Sequence, residues 1–130
     1  MNLYDRVLDA VLAMAGQVDL YAPILVGSLP EDDGIAMAVS AGGPDRTFLR
    51  KAGGLYSMSL VVNAKHTDQA EASNALGRIH EHLTRSLRYP QGTDYQITDI
   101  QTVGGPSYAG REQNGQWLYV SSVRVNFFVR

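Results

Sequence analysis

The residues best able to move protons or hold a metal are His66, His80 and His82. On a helix, His80 and His82 stand two positions apart, about 200° around the axis, so one face cannot present both. A helical zinc pair needs a spacing of four, which Glu81 between them does not supply. Solvated helix side chains are what this spacing supports. Glu31-Asp32-Asp33-Gly34 clusters carboxylates that would suit a hard cation. It lacks the alternating ligands and the distal bidentate acid of a calcium loop, and reads as an acidic surface turn. Gly42-Gly43-Pro44-Asp45 and Gly104-Gly105-Pro106-Ser107 are turn signals. No lysine follows either at phosphate-loop spacing and no helix is expected to start there, so neither cradles an anion. No serine occupies a Gly-x-Ser-x-Gly elbow. With no cysteine in the chain, thiol nucleophiles, thiolate metal sites and disulfides drop out together. No catalytic residue, cofactor-binding residue or metal ligand is expected, and no cofactor.

One irregular segment remains. Between Gly42-Gly43-Pro44-Asp45 and Gly53-Gly54, the residues Arg46, Phe48, Leu49, Arg50 and Lys51 mix cations with large apolar groups. A solvated loop, a protein contact and an anion site are three readings of it. Phe48 and Leu49 among the charges favour the contact, because arginine beside an aromatic ring is a typical interface anchor. Asp45, Arg46, Phe48, Arg50 and Lys51 are therefore the candidate interface. Trp117 and Tyr119 are core residues, or anchors if their end of the chain projects.

The elements that must position these residues follow from periodicity. Asn2 to Gly16 reads as an amphipathic helix, with Asn2 as N-cap and Gly16 as a left-handed stop. Pro23 introduces a short strand, Ile24 to Val26, and Ile35, Met37 and Val39 alternate in a second. Ala41 to Gly54 is irregular, and Leu55 to Ala64 is a strand. Asp68 and Glu71 open a capping box for a long helix to about Arg88, with Ala72, Ala75, Leu76, Ile79, Leu83 and Leu87 on its buried stripe. Gln96 to Val103 is a strand needing a bulge near Ile97 and Ile100. Gly104-Gly105-Pro106 then turns into a hairpin of Ser107–Glu112 and Gln116–Arg130 around Asn114-Gly115. The terminal stretch alternates over more than twice the usual strand length of about six residues. Either a bulge bends it or one end projects and invites a neighbour. Helices beside grouped strands give an α+β fold. Its sheet is mainly antiparallel, with a mixed one allowed, and has five or six strands with both helices packed on it.

Composition agrees with one domain over residues 1–130. The 130 residues are 45% hydrophobic and 18% charged, with a net charge of −2. That balance gives no electrostatic pull towards nucleic acid or a membrane surface, and no apolar window reaches transmembrane length. The N-terminus lacks a signal peptide's basic start, so synthesis and use in a cytosol are expected.

The run Glu31-Asp32-Asp33-Gly34-Ile35-Ala36-Met37, then Gly42-Gly43-Pro44-Asp45 and the strand Tyr56 to Val62, resembles the small minor capsid and tail-terminator proteins of long-tailed bacteriophages. The likeness continues through the Asp68–Leu87 helix with His80-Glu81-His82-Leu83, Ile97-Thr98-Asp99-Ile100, Pro106, and the Asn-Gly tip before Trp117-Leu118-Tyr119. It spans roughly Glu31 to Phe128, in diffuse patterns of turns and strands. The resemblance implies a structural protein and not an enzyme. Its members form a ring, typically a hexamer, that caps the tail tube and offers the surface for joining the head. Implied partners are copies of itself (with a monomer in solution allowed), the tail-tube protein and a head-completion or connector protein. Neither sequence-specific nucleic acid nor a membrane is implied, and the location is the virion tail or neck after synthesis in the host cytoplasm. The alternatives are another neck or tail-completion protein, and a small α+β enzyme or ligand-binding domain with a pocket between sheet and helix.

Overall fold

The structure, a computed structural model, describes residues 2–42, 46–47 and 54–129. The elements are α1 (Leu3–Ala15), β1 (Ile24–Val26), β2 (Gly34–Gly42), β3 (Arg46–Thr47), β4 (Gly54–His66), α2 (Gln69–Thr84), β5 (Tyr95–Arg111) and β6 (Trp117–Val129). One sheet runs in the order β1-β2-β4-β6-β5, with β3 also pairing β4. Among the described residues only β1 and β2 are parallel; the other pairings are antiparallel, so the sheet is mixed and the fold is α+β as expected.

The terminal strand lies inside this sheet, between β4 and the edge strand β5. Trp117 to Val129 pairs with β4 from His66 to Gly54 on one side and with β5 on the other. Neither end of it projects as a two-stranded ribbon, and the length is absorbed by equally long neighbours. Val123, Val125 and Phe127 lie fully buried on one face, with Met58 and Leu60 of β4 beside them. Leu76 and Ile79 of α2 and Val11 of α1 close over that face with no exposed surface left. Among the described residues, these side chains pack into the space between sheet and helices, where a ligand-binding reading would place a pocket.

Several expectations are corrected. Asn2 does cap α1, accepting from Asp5 N–H at 2.9 Å, but Gly16 ends it in right-handed conformation at φ −73° with its N–H on Leu12 O. The long helix stops at Thr84, not Arg88, and Leu87 is 100% exposed. Three hydroxyls take its last carbonyls: Thr84 donates to His80 O, Ser86 to His82 O and Tyr89 to Leu83 O. Side chains that satisfy those orphan acceptors remove the incentive for another turn. At the other end Asp68 accepts from Ala70 N–H, while its own N–H goes to His66 Nδ1 at 2.9 Å. The histidine supplies the acceptor that Glu71 was expected to supply.

Gly104-Gly105-Pro106 makes no turn. β5 runs through it as an edge strand of 17 residues with register shifts after Ile97, Thr102, Gly104 and Tyr108. An edge strand tolerates proline and bulges because its outer side owes no ladder bonds. The expected bulge near Ile97 is the first of these. Of the expected irregular stretch from Ala41 to Gly54, β2 reaches Gly42 and Arg46 pairs with Leu55, while residues 43–45 and 48–53 lie outside the described residues. At the hairpin tip only Gly115 takes positive φ, at 85°. Gly115 N–H donates to Glu112 O at 3.0 Å and Glu112 N–H to Gln116 O at 2.8 Å, a three-residue loop in place of the two-residue one.

Candidate functional site

Of the expected interface, Arg46 falls in β3, and Asp45, Phe48, Arg50 and Lys51 lie outside the described residues. The structure assembles a different group with interface character at the opposite end of the sheet. Tyr108 pairs with Tyr119 and Arg111 with Trp117 across β5 and β6, on the sheet face that carries the helices. The Tyr108 ring lies 5.9 Å from that of Trp117 and 6.0 Å from that of Tyr119. The Arg111 guanidinium carbon stands 4.6 Å from the centre of the Trp117 ring. Gln69, the first residue of α2, donates its amide to the Tyr119 hydroxyl at 2.8 Å. The helix begins there, so the rings beyond it are left partly uncovered, and Tyr108 is 55% exposed. Three neighbouring aromatic rings, one of them capped by a guanidinium, form an amphipathic patch with the composition of a contact surface.

Trp117 and Tyr119 were legible as core or anchor residues; Tyr108 and Arg111 were not. Counting back from the hairpin tip would set Ala109 opposite Tyr119. The shift at Gly110, with φ 152°, sets Tyr108 there instead. A glycine inside a strand was the available signal.

A polar network braces the patch from behind. Lys65 is 4% exposed and donates to Glu31 O at 2.9 Å, with Glu112 3.5 Å away. Asn114 at the hairpin tip donates to the same carbonyl at 3.1 Å. The Tyr21 hydroxyl lies 2.8 Å from Gly34 O and 2.7 Å from Lys65 O, tying the ends of β2 and β4 together. Burial, reinforced by nearby Asp33, pushes the Tyr21 hydroxyl far above the ordinary phenol range, so it stays a donor. The acidic turn Glu31–Asp33 is thus pinned to both β4 and the hairpin.

The histidines are structural members more than solvated side chains. His66 Nδ1 accepts from Asp68 N–H, which directs its Nε2 to Asp33 at 3.2 Å. His82 Nε2 meets Gln17 Oε1 at 2.9 Å, joining α2 to the end of α1. His80 Nε2 meets Thr102 Oγ1 at 2.8 Å, and its buried Nδ1 has no partner among the described residues. Burial holds the His80 pKa below its ordinary value. Among the described residues no three His, Cys, Asp or Glu side chains converge on a metal position. No helix among them is long and apolar enough to cross a membrane. An open cleft of about 670 Å³ lies between α1 and the end of α2, lined by Met14, Gln17, His82, Leu87 and Tyr89 among others.

No family model and no curated protein matches this sequence. The fold, however, is shared. A chain from the virion of a native gene transfer agent particle superposes with a TM-score of 0.60 at 12% identity, covering 94% of this chain and 97% of that one. A second solved protein superposes with a TM-score of 0.51 at 14% identity, covering 99% of this chain and 97% of the other. At such identities the agreement speaks for the architecture, over nearly the whole length of all three chains.

Proposed function

We propose that this chain is a structural protein of a phage-like particle, a tail terminator whose copies form a ring, typically six, on the end of the tail tube. The observation carrying this reading is the whole-length likeness to a chain of a gene transfer agent virion. It agrees with the resemblance of the Glu31–Phe128 patterns to terminator proteins, which rests on sequence. The mechanism is geometric. A ring completes the last tube layer, blocks addition of further tube subunits, and presents a new face to the head-completion protein. Such a ring closes because one heterologous contact repeats by rotation.

Two structural features support the geometry. The core is closed beneath the helices, so the sheet is a rigid platform. The exposed aromatic-arginine patch has the composition of contact anchors. In the same reading, Arg46, Phe48, Arg50 and Lys51 contact an adjacent subunit or the tube layer. Electron microscopy of particles made without this protein tests the assignment. Tails of uncontrolled length beside unattached full heads are expected; normal virions would end it.

A further inference from the structure

Among the described residues, both lateral edges of the sheet are open, and both carry apolar side chains into solvent. On the outer edge of β5, Val103 is 58% and Tyr108 55% exposed. On the opposite edge, Leu25 is 41%, Val26 58% and Val39 47% exposed. Within the same residues β5 pairs only with β6 beyond Ile97, and β2 beyond Met37 has no strand on its outer side. From Gln101 to Ala109 the β5 edge carries no charge at all. Natural sheets guard such an edge with charges or cover it, so an uncharged edge bearing a tyrosine and a valine is one that becomes covered.

The register shows what could cover it. Following the pairs across the sheet, Val39 meets Leu60, Leu60 meets Val123, and Val123 meets Thr102, so Val39 and Val103 stand at nearly the same height on opposite edges. Ile24 follows Ile35, Ala64 and Tyr119 to Tyr108, on the face that carries the helices. Arg111 follows Trp117 to His66, which holds Asp33 of the acidic turn. Apolar groups face apolar groups, and a cation faces Glu31, Asp32 and Asp33, if a second copy is set alongside in the same orientation. β5 and β2 then run antiparallel across the seam, as three successive antiparallel pairings require.

Resting on the ring reading above, we propose that the β5 edge of one copy docks against the β1–β2 edge of the next. Val103 packs towards Val39, Tyr108 towards Ile24, and Arg111 towards Glu31 and Asp32. Pro106 and the bulges interrupt any long ladder, so side chains make most of the contact. The two surfaces differ, which makes the contact heterologous and able to close a ring.

The test uses the full chain on assembled tail tubes, with wild type as the reference. Since the protein has no cysteine, a Val39→Cys, Val103→Cys variant reports on the seam alone. Oxidation is expected to give a covalent ladder ending at the ring size, while each single variant gives none. Arg111→Glu, and separately Glu31→Lys with Asp32→Lys, should each weaken association by about tenfold or more. Mixing the two charge variants should restore it. In an alternating ring the reversed edge of one variant meets the reversed turn of the other, and the unchanged edge meets the unchanged turn. Wild-type rings with no ladder and with unaffected charge variants would overturn the seam and leave the ring standing. Wild type remaining single on its tube would overturn both.

Discussion

Arg111 sits over the Trp117 ring across the β5–β6 hairpin, its guanidinium carbon 4.6 Å from the ring centre. The pair is local, at the mouth of a hairpin, and is not part of the buried core. Arg111→Ala should therefore cost only about 0.5–1 kcal/mol of stability. Urea unfolding checks this, with near-native circular dichroism as the companion result. A much larger loss would mean that the patch holds the fold together, instead of serving contacts outside it.

Lys65 is the opposite case, a nearly buried cation whose ammonium reaches the Glu31 carbonyl. Lys65→Ala should destabilise by about 1–3 kcal/mol, because it removes a buried donor. Glu112 is 40% exposed, so Glu112→Gln should cost under about 1 kcal/mol. Denaturant midpoints for the two variants order these effects.

His80 makes stability depend on pH. Its folded pKa is lowered by burial, and protonation would also burden Nδ1, which has no partner among the described residues. Below the ordinary histidine value of about 6.5 the unfolded chain binds the proton more readily than the folded one. The His80 contribution is therefore fully present above that value and falls as pH drops towards the lowered one. His80→Gln should flatten this part of the curve. Thermal melts of both proteins between pH 7.5 and about 5 measure the difference.

Leu83 and Leu87 separate the observed end of α2 from the expected one. Leu83 is 0% exposed, and Leu83→Ala should cost about 2–5 kcal/mol. Leu87 is 100% exposed, and Leu87→Ser should change stability by no more than about 0.5 kcal/mol. Had the helix run on to Arg88, both would be costly.

These residues also show what the sequence could and could not disclose. The alternation ending in Phe127 has one physical solution, a strand with a buried face, and the helix stripes through Val11 and Ile79 are equally constrained. Where a boundary is decided by side chains distant in the chain, pattern alone fails. Leu87 fits the helical stripe, but the hydroxyls of Thr84, Ser86 and Tyr89 end the helix first. Gly104-Gly105-Pro106 has turn chemistry, yet the long partner strand β6 keeps it extended at an edge. The aromatic-arginine patch was only half legible, because a bulge at Gly110 decides which residue faces Tyr119. Histidines read as solvated proved to be ties between elements, since helix spacing says nothing about Thr102 or Gln17.

Tube polymerisation in the presence of this protein tests the central claim most directly. When purified chain is added to assembling tail-tube subunits, growth should stop, and the protein should be found as one ring at a single end of each tube. Tubes that lengthen at the same rate with the protein absent from their ends would contradict the account.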